Sequence, residues 1–284
     1  MLKRRWGLLC CLLPCVLFAQ RIKINVRAVE VVVSVTDAKG KPVTNLQMED
    51  FRVLEDGQQQ ELNVFEPVSS GITLALLIDT TASVAPDLPH VKNAIGRLLG
   101  ALRPDDSVGL FTFATTLTPL SDFTTDRKKT LGSVLQTRAA GDTALFDSLA
   151  QLSRSLSKMN GKKAILLFTD GEDNLSNLSL KDSLEETRRA GVPIYAMLYG
   201  RALEDPNLSK RLVDISKNSG ATSFRVRQPS DLPLAFQSVA EDLRDRYLVG
   251  YQFKGDAQKD WHSLKVQLSK QQKFNVTAKE GYWQ

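Results

Sequence analysis

Residues 72–78 read ITLALLI, a near-continuous apolar run without alternation. A strand wetted on one face alternates apolar and polar side chains. An unbroken run marks a strand buried on both faces, as in a parallel sheet covered by helices. Such a strand needs crossover partners, and the following sequence supplies them. Helical periodicity is predicted over residues 88–102, 126–136, 145–159, 180–190, 208–216 and 231–243. Strands are predicted over 108–114, 163–169, 192–198 and 223–226. This alternation specifies an α/β fold with a doubly wound, mostly parallel sheet and helices on both faces. Residues 113–120 read as the end of one strand followed by a short antiparallel neighbour.

Both ends of the chain follow a different period. Val29, Val31, Val33 and Val35 fall on one side of a strand, and Glu30, Ser34 and Thr36 on the other, with Val32 the exception. Residues 37–42 (DAKGKP) form a turn, and Asp56-Gly57 is a tight-turn pair between short strands at Phe51–Val53 and Leu62–Val64. After Arg244 the period of two returns at Tyr247, Val249, Tyr251 and Phe253. It recurs at His262, Leu264, Val266 and Leu268, and at Phe274, Val276 and Ala278. Each end alone is marginal as a domain. The expected organisation is one discontinuous, sandwich-like all-β domain, built from residues 20–70 and 246–284. The α/β domain, residues 71–245, is inserted in its middle. Two independent β extensions are the alternative.

The first nineteen residues change the meaning of the composition. MLKRR is a short basic start, and residues 6–18 (WGLLCCLLPCVLF) form an uncharged apolar run too short to span a bilayer. With Ala19 they read as a secretory signal peptide, residues 1–19. Cys10, Cys11 and Cys15, all the cysteines of the chain, lie there. Of 37 basic and 32 acidic residues, 34 and 32 remain after cleavage, a net charge near +2 instead of +5. No electrostatic case for nucleic acid survives. A secreted chain without cysteine suits a bacterial envelope or periplasmic setting. With 42% hydrophobic and 24% charged residues, the chain is neither disordered nor fibrous.

Open α/β sheets bind ligands beyond the carboxyl ends of their strands. Three loops in that position carry oxygen donors: Asp79-Thr80-Thr81-Ala82-Ser83, Gly141-Asp142-Thr143-Ala144 and Thr169-Asp170-Gly171-Glu172-Asp173. Two carboxylates, Asp79 and Asp170, and three hydroxyls, Thr81, Ser83 and Thr143, make a hard oxygen set suited to Mg²⁺ or Mn²⁺. With no His or Cys among them, the set does not suit Zn²⁺. The bland alternative is that Asp79 and Ser83 cap the next helix and Asp170 sits in a turn.

These residues resemble the metal-ion-dependent adhesion site of von Willebrand factor A domains, whose pattern is Asp-x-Ser-x-Ser, a distant Thr and a later Asp-Gly. Thr81 stands where Ser is usual and keeps the hydroxyl. Asp142 stands where Gly is common and adds a negative charge. The resemblance covers residues 71–245. Residues 50–57 (DFRVLEDG), Tyr247 to Tyr251 and Gly281-Tyr282 look like the secreted bacterial von Willebrand A-related group, common in Acidobacteria. The resemblance implies a binding protein, not an enzyme: a divalent metal takes an acidic residue offered by a protein partner, with no nucleic acid involved. It also implies that the last helix shifts with ligand. A metal-dependent hydrolase, with Asp142 or Asp173 as base, and an envelope scaffold with a purely structural metal are the alternatives.

Other chemistry finds little support. Only His90 and His262 exist, and no nucleophile elbow, phosphate loop or dinucleotide fingerprint is present. Thr81 occupies the place of the second acid that an aspartyl-phosphate hydrolase needs. Arg127-Lys128-Lys129 and Arg188-Arg189 read as solvated helix faces. The loop from Glu172 through DNLSNLS rims the site and reads as an ordinary polar loop. Asn174, Asn177 and Asn275 head sequons that a bacterial origin leaves idle.

Overall fold

A computed structural model describes residues 26–39, 41–68, 70–254, 261–269, 274–279 and 281–283. The signal-peptide segment lies outside the described residues. No helix among the described residues is long and apolar enough to cross a membrane.

The chain starts with β1 (Val26–Thr36), β2 (Phe51–Glu55), β3 (Gln58–Gln60) and β4 (Leu62–Glu66). The central part runs β5 (Thr73–Asp79), α1 (Leu88–Ala101), β6 (Ser107–Phe113), β7 (Leu117–Thr124), α2 (Arg127–Gln136), α3 (Leu145–Leu156) and β8 (Lys163–Thr169). It continues with α4 (Leu180–Ala190), β9 (Ile194–Leu198), α5 (Arg201–Glu204), α6 (Pro206–Asn218), β10 (Phe224–Arg225) and α7 (Leu232–Arg244). The chain closes with β11 (Arg246–Lys254), β12 (Trp261–Leu268), β13 (Asn275–Ala278) and β14 (Gly281–Trp283).

The central sheet has the order β10-β9-β8-β5-β6-β7. All its pairings are parallel except β6 with β7. β5 lies inside it, and its side chains divide by the strand period of two. Leu74, Leu76 and Ile78 join a core with α1 and α7, through Ile95, Leu98, Phe236 and Val239. Ala75 and Leu77 join a second core with α3 and α6, through Leu149, Leu152, Leu212 and Ile215. Each Leu or Ile so buried contributes about 1.5–3 kcal/mol relative to exposure. This two-sided demand accounts for the apolar run.

The two ends of the chain build one module. One sheet has the order β13-β1-β11-β4 and the other β14-β12-β2-β3, so each mixes strands from both ends. β1 and β11 pair antiparallel from Val26↔Lys254 to Ser34↔Arg246. The inward valines of β1 share a core with Tyr247, Val249 and Tyr251 of one sheet and Phe51, Val53, Leu264 and Tyr282 of the other. The alternative of two independent extensions does not hold. Tyr247 ties down the preceding loop: its hydroxyl accepts from the Leu46 amide at 3.0 Å and donates to the Val43 carbonyl at 2.7 Å.

One largely buried ion pair joins the module to the α/β part, and a second fastens the end of α7 within the α/β part beside the seam. Lys163 Nζ lies 2.9 Å from Glu30 of β1, with both side chains largely covered. Arg244, at the end of α7, lies 2.6 Å from the fully buried Asp106. That carboxylate also accepts from the amides of Ile72 and Arg103.

Candidate functional site

The loops after β5 and β8 and the loop before α3 meet at the carboxyl edge of the sheet. Because β5 and β8 are hydrogen-bonded neighbours, Asp79 and Asp170, which end or follow them, are brought side by side. Asp79 is fully buried and Asp170 nearly so. Asp79 Oδ1 accepts from the Thr81 amide at 2.9 Å and the Thr81 hydroxyl at 2.7 Å. Its Oδ2 accepts from the Thr169 hydroxyl at 2.7 Å. The Thr81 and Ser83 hydroxyls are 3.1 Å apart.

Asp170 is held differently. Its Oδ1 accepts from the Glu172 amide at 3.1 Å, while its buried Oδ2 has no hydrogen-bond partner among the described residues. Gly171 beside it has φ +83°, and a Cβ there would also stand 3.2 Å from the Leu212 side chain. Both facts favour glycine at this corner.

Thr143 is positioned by a reciprocal clamp. Its amide donates to Asn174 Oδ1 at 2.9 Å, and its carbonyl accepts from the amides of Asn174 and Leu175 at 3.0 Å. The same loop caps α3 from outside the helix. Asp173 Oδ2 accepts from the Phe146 amide at 2.9 Å, and Ser176 Oγ accepts from the Asp147 amide at 3.1 Å. These are first-turn donors that the helix itself leaves unpaired. Asp147 returns the contact, accepting from the amides of Asn177 and Leu178. The loop read as merely polar is thus a brace.

The capping alternative does not describe Asp79 and Ser83. α1 begins at Leu88, after a single 3₁₀ turn at Ala82–Val84. Asp79 spends its oxygens on Thr81 and Thr169. Two residues that the sequence placed in these loops without a role belong to the site: Thr169, which hydrogen-bonds Asp79, and Asn174, which fixes Thr143. The hydroxyl immediately before Asp-Gly was the available signal for Thr169.

The electrostatics are those of a buried pair of acids. Burial pushes the Asp79 carboxyl up to about 6, against hydrogen bonds from Thr81 and Thr169, and the charge of Asp170 adds to the rise. Tyr199, one residue past β9, faces the same carboxylates. Burial, then the charges of Asp79, Asp170 and Asp87, hold its phenol protonated well above the ordinary value.

Among the described residues there is no cluster of three or more His, Cys, Asp or Glu of the kind that binds metal by itself. The donor set is instead two carboxylates with hydroxyls. Its chemistry fits a hard divalent cation: paired buried charges of one sign, and a carboxylate oxygen with no protein donor. Asp79, Thr81, Ser83, Thr143 and Asp170 are the residues that would hold it.

The chain matches the von Willebrand factor type A domain over residues 73–238. It is similar in structure to a von Willebrand factor type A protein from Catenulispora acidiphila, at 12% identity and a TM-score of 0.55, covering 93% of this chain and 74% of that one. It is also similar to the conserved hypothetical protein BatB from Bacteroides thetaiotaomicron, at 19% identity and a TM-score of 0.51, covering 60% and 98%. Proximal thread matrix protein 1 from the mussel byssus is 19% identical, with a TM-score of 0.51 and coverage of 68% and 51%. At these identities the structural likeness is one of fold. Curated protein sequences give no significant match.

Proposed function

The chain belongs to the von Willebrand factor type A domain family, and from that premise we propose that it is a secreted or envelope binding module that captures an acidic side chain of a protein partner through a bound Mg²⁺ or Mn²⁺. Domains of this family generally mediate protein–protein interactions. The observation that carries the metal reading is the buried Asp79–Asp170 pair, with Asp170 Oδ2 lacking a donor.

When bound, the cation supplies an open coordination position for a carboxylate oxygen. The chain does the rest. Asp79 and Asp170 balance the divalent charge. Thr81, Ser83 and Thr143 contribute neutral hydroxyls, which leave the centre electrophilic enough to attract a further anion. Thr169 and the Asn174 clamp orient these donors before any ligand arrives, which lowers the ordering cost of binding.

Binding is preferred to hydrolysis on the commitments of the nearby acids. Asp173 is held by the Phe146 amide and by Ser176, and Asp142 is exposed. A general base would have to come from Asp173, which is committed to the α3 cap, or from Asp142, which lies in solvent.

Calorimetry of Mg²⁺, Mn²⁺ and Ca²⁺ with the full chain and with Asp79→Ala tests the site. Binding in the first and none in the second is expected. Equal heats in both refute it. Chelator-sensitive capture of an acidic partner peptide, lost on replacing its Asp or Glu by the amide, then tests the carboxylate.

A further inference from the structure

A second cavity, of about 650 Å³, opens at the opposite end of the α/β part, where the ends of α4 and α6 meet β1 and the strands after β11. Its volume lies in the range of small-molecule pockets. Among the described residues, four cations line it, Arg188, Lys217, Arg246 and Lys279, with one carboxylate, Asp214. Trp261 forms an aromatic wall, and Val32, Leu184 and Pro193 add apolar surface.

These charges are unequally engaged. Arg246 is satisfied by Asp242, at 2.6 and 3.2 Å, and by the Gly220 carbonyl. Asp214 faces Lys210 at 3.3 Å. Arg188 and Lys217 have no carboxylate within ion-pair distance among the described residues. Both sit in the last turns of their helices, where each helix end carries about half a negative charge. That offsets the two cations only in part.

The aromatic wall is fixed in place. Trp261 rests on the backbone of Gly281, where a Cβ would come within 2.3 Å of the ring. The Arg188 guanidinium lies 5.0 Å from the ring centroid, a cation–π contact that leaves its N–H edge free to meet an anion. Guanidinium, ammonium and indole therefore converge on one solvent-open cleft.

We propose that this cavity binds a small organic anion with a flat apolar body, an aryl carboxylate or aryl phosphate. Its anionic group lies between Arg188 and Lys217 and its ring lies against Trp261. The assignment is independent of the metal reading, since the cavity shares no residue with the site at Asp79.

Calorimetry with the full chain tests it, using 2-naphthoate, 2-naphthyl phosphate and neutral 2-naphthol. At least one anion is expected to bind, ten times or more tighter than the naphthol. The stronger of the two identifies carboxylate or phosphate as the preferred head group. Lys217→Gln, at an exposed helix position, should weaken the anion at least fivefold without moving the melting temperature. Arg188→Gln and Trp261→Leu should each do so more strongly. Asp79→Ala should leave the affinity unchanged, whatever it does to metal binding. No heat with either anion, equal affinity for anion and naphthol, or undiminished affinity in Lys217→Gln and Arg188→Gln overturns the proposal.

Discussion

Asp79 accepts three hydrogen bonds and still lies buried beside a second carboxylate, so its donors matter more than their number suggests. Thr169 supplies the only hydroxyl on Oδ2 among the described residues. We predict that Thr169→Val weakens Mg²⁺ or Mn²⁺ binding ten- to a hundredfold, the usual effect of losing an outer donor. Calorimetry checks it, and an affinity within threefold of the parent contradicts it. Asn174→Ala removes the partner of the Thr143 amide and should cost about 1–3 kcal/mol in urea unfolding, because that donor is left unpaired in a covered loop. The five candidate ligands could be nominated from sequence because each lies in a short motif, four of them where β5 or β8 ends and Thr143 just before α3. Thr169 and Asn174 could not be assigned this way. Their roles depend on which loop stands opposite, and that is set by the β5–β8 pairing and the brace on α3.

At the scale of elements, hydrophobic period carried most of the information. β8 and α4 occupy the expected spans, because an unbroken apolar run and a capped amphipathic stretch admit one reading each. Differences fall where local chemistry intervenes. α3 stops at Leu156, three residues short of the expected end, as the chain leaves into a turn before Gly161. α6 starts at Pro206, two residues early, because Asp205 caps it through the Asn207 amide. α5 has four residues, too few to show a period. The cap of α3 is the feature sequence could not reveal, since the acceptor, Asp173, lies 27 residues from the Phe146 amide it caps. Asp173→Ala should therefore destabilise by about 1–2 kcal/mol, and Asp173→Asn, which keeps an acceptor, by less than half of that. Equal losses in the two variants, measured by urea unfolding, would show that charge and not the cap is responsible.

Over the whole molecule, the nested organisation was legible from the change of period near residues 70 and 245. The seam between the parts was not, because the charges that close it are far apart in the chain. Lys162 belongs to that seam. It is 2% exposed, and its ammonium donates to the Pro67 carbonyl. Burial lowers it from 10.5 to about 8; the charges of Glu66 and Asp245 resist the shift, and Arg103 adds to it. The unfolded chain therefore keeps this proton up to about pH 10.5, while the folded chain releases it near 8. Between those values the unfolded state binds more protons, so stability rises with pH. The full gain is about 3 kcal/mol at most. Tyr195, Tyr247 and Tyr251 act in the opposite sense. Burial raises all three, so above pH 10 the unfolded chain loses phenolic protons that the folded chain retains, and stability falls. We predict a stability maximum between pH 9 and 10 in urea unfolding of the full chain. Lys162→Met should abolish the rise from pH 7.5 to 9.5 and leave the fall above 10 intact. A parent curve that is flat over the first interval, or a variant that keeps the rise, would remove Lys162 as its cause.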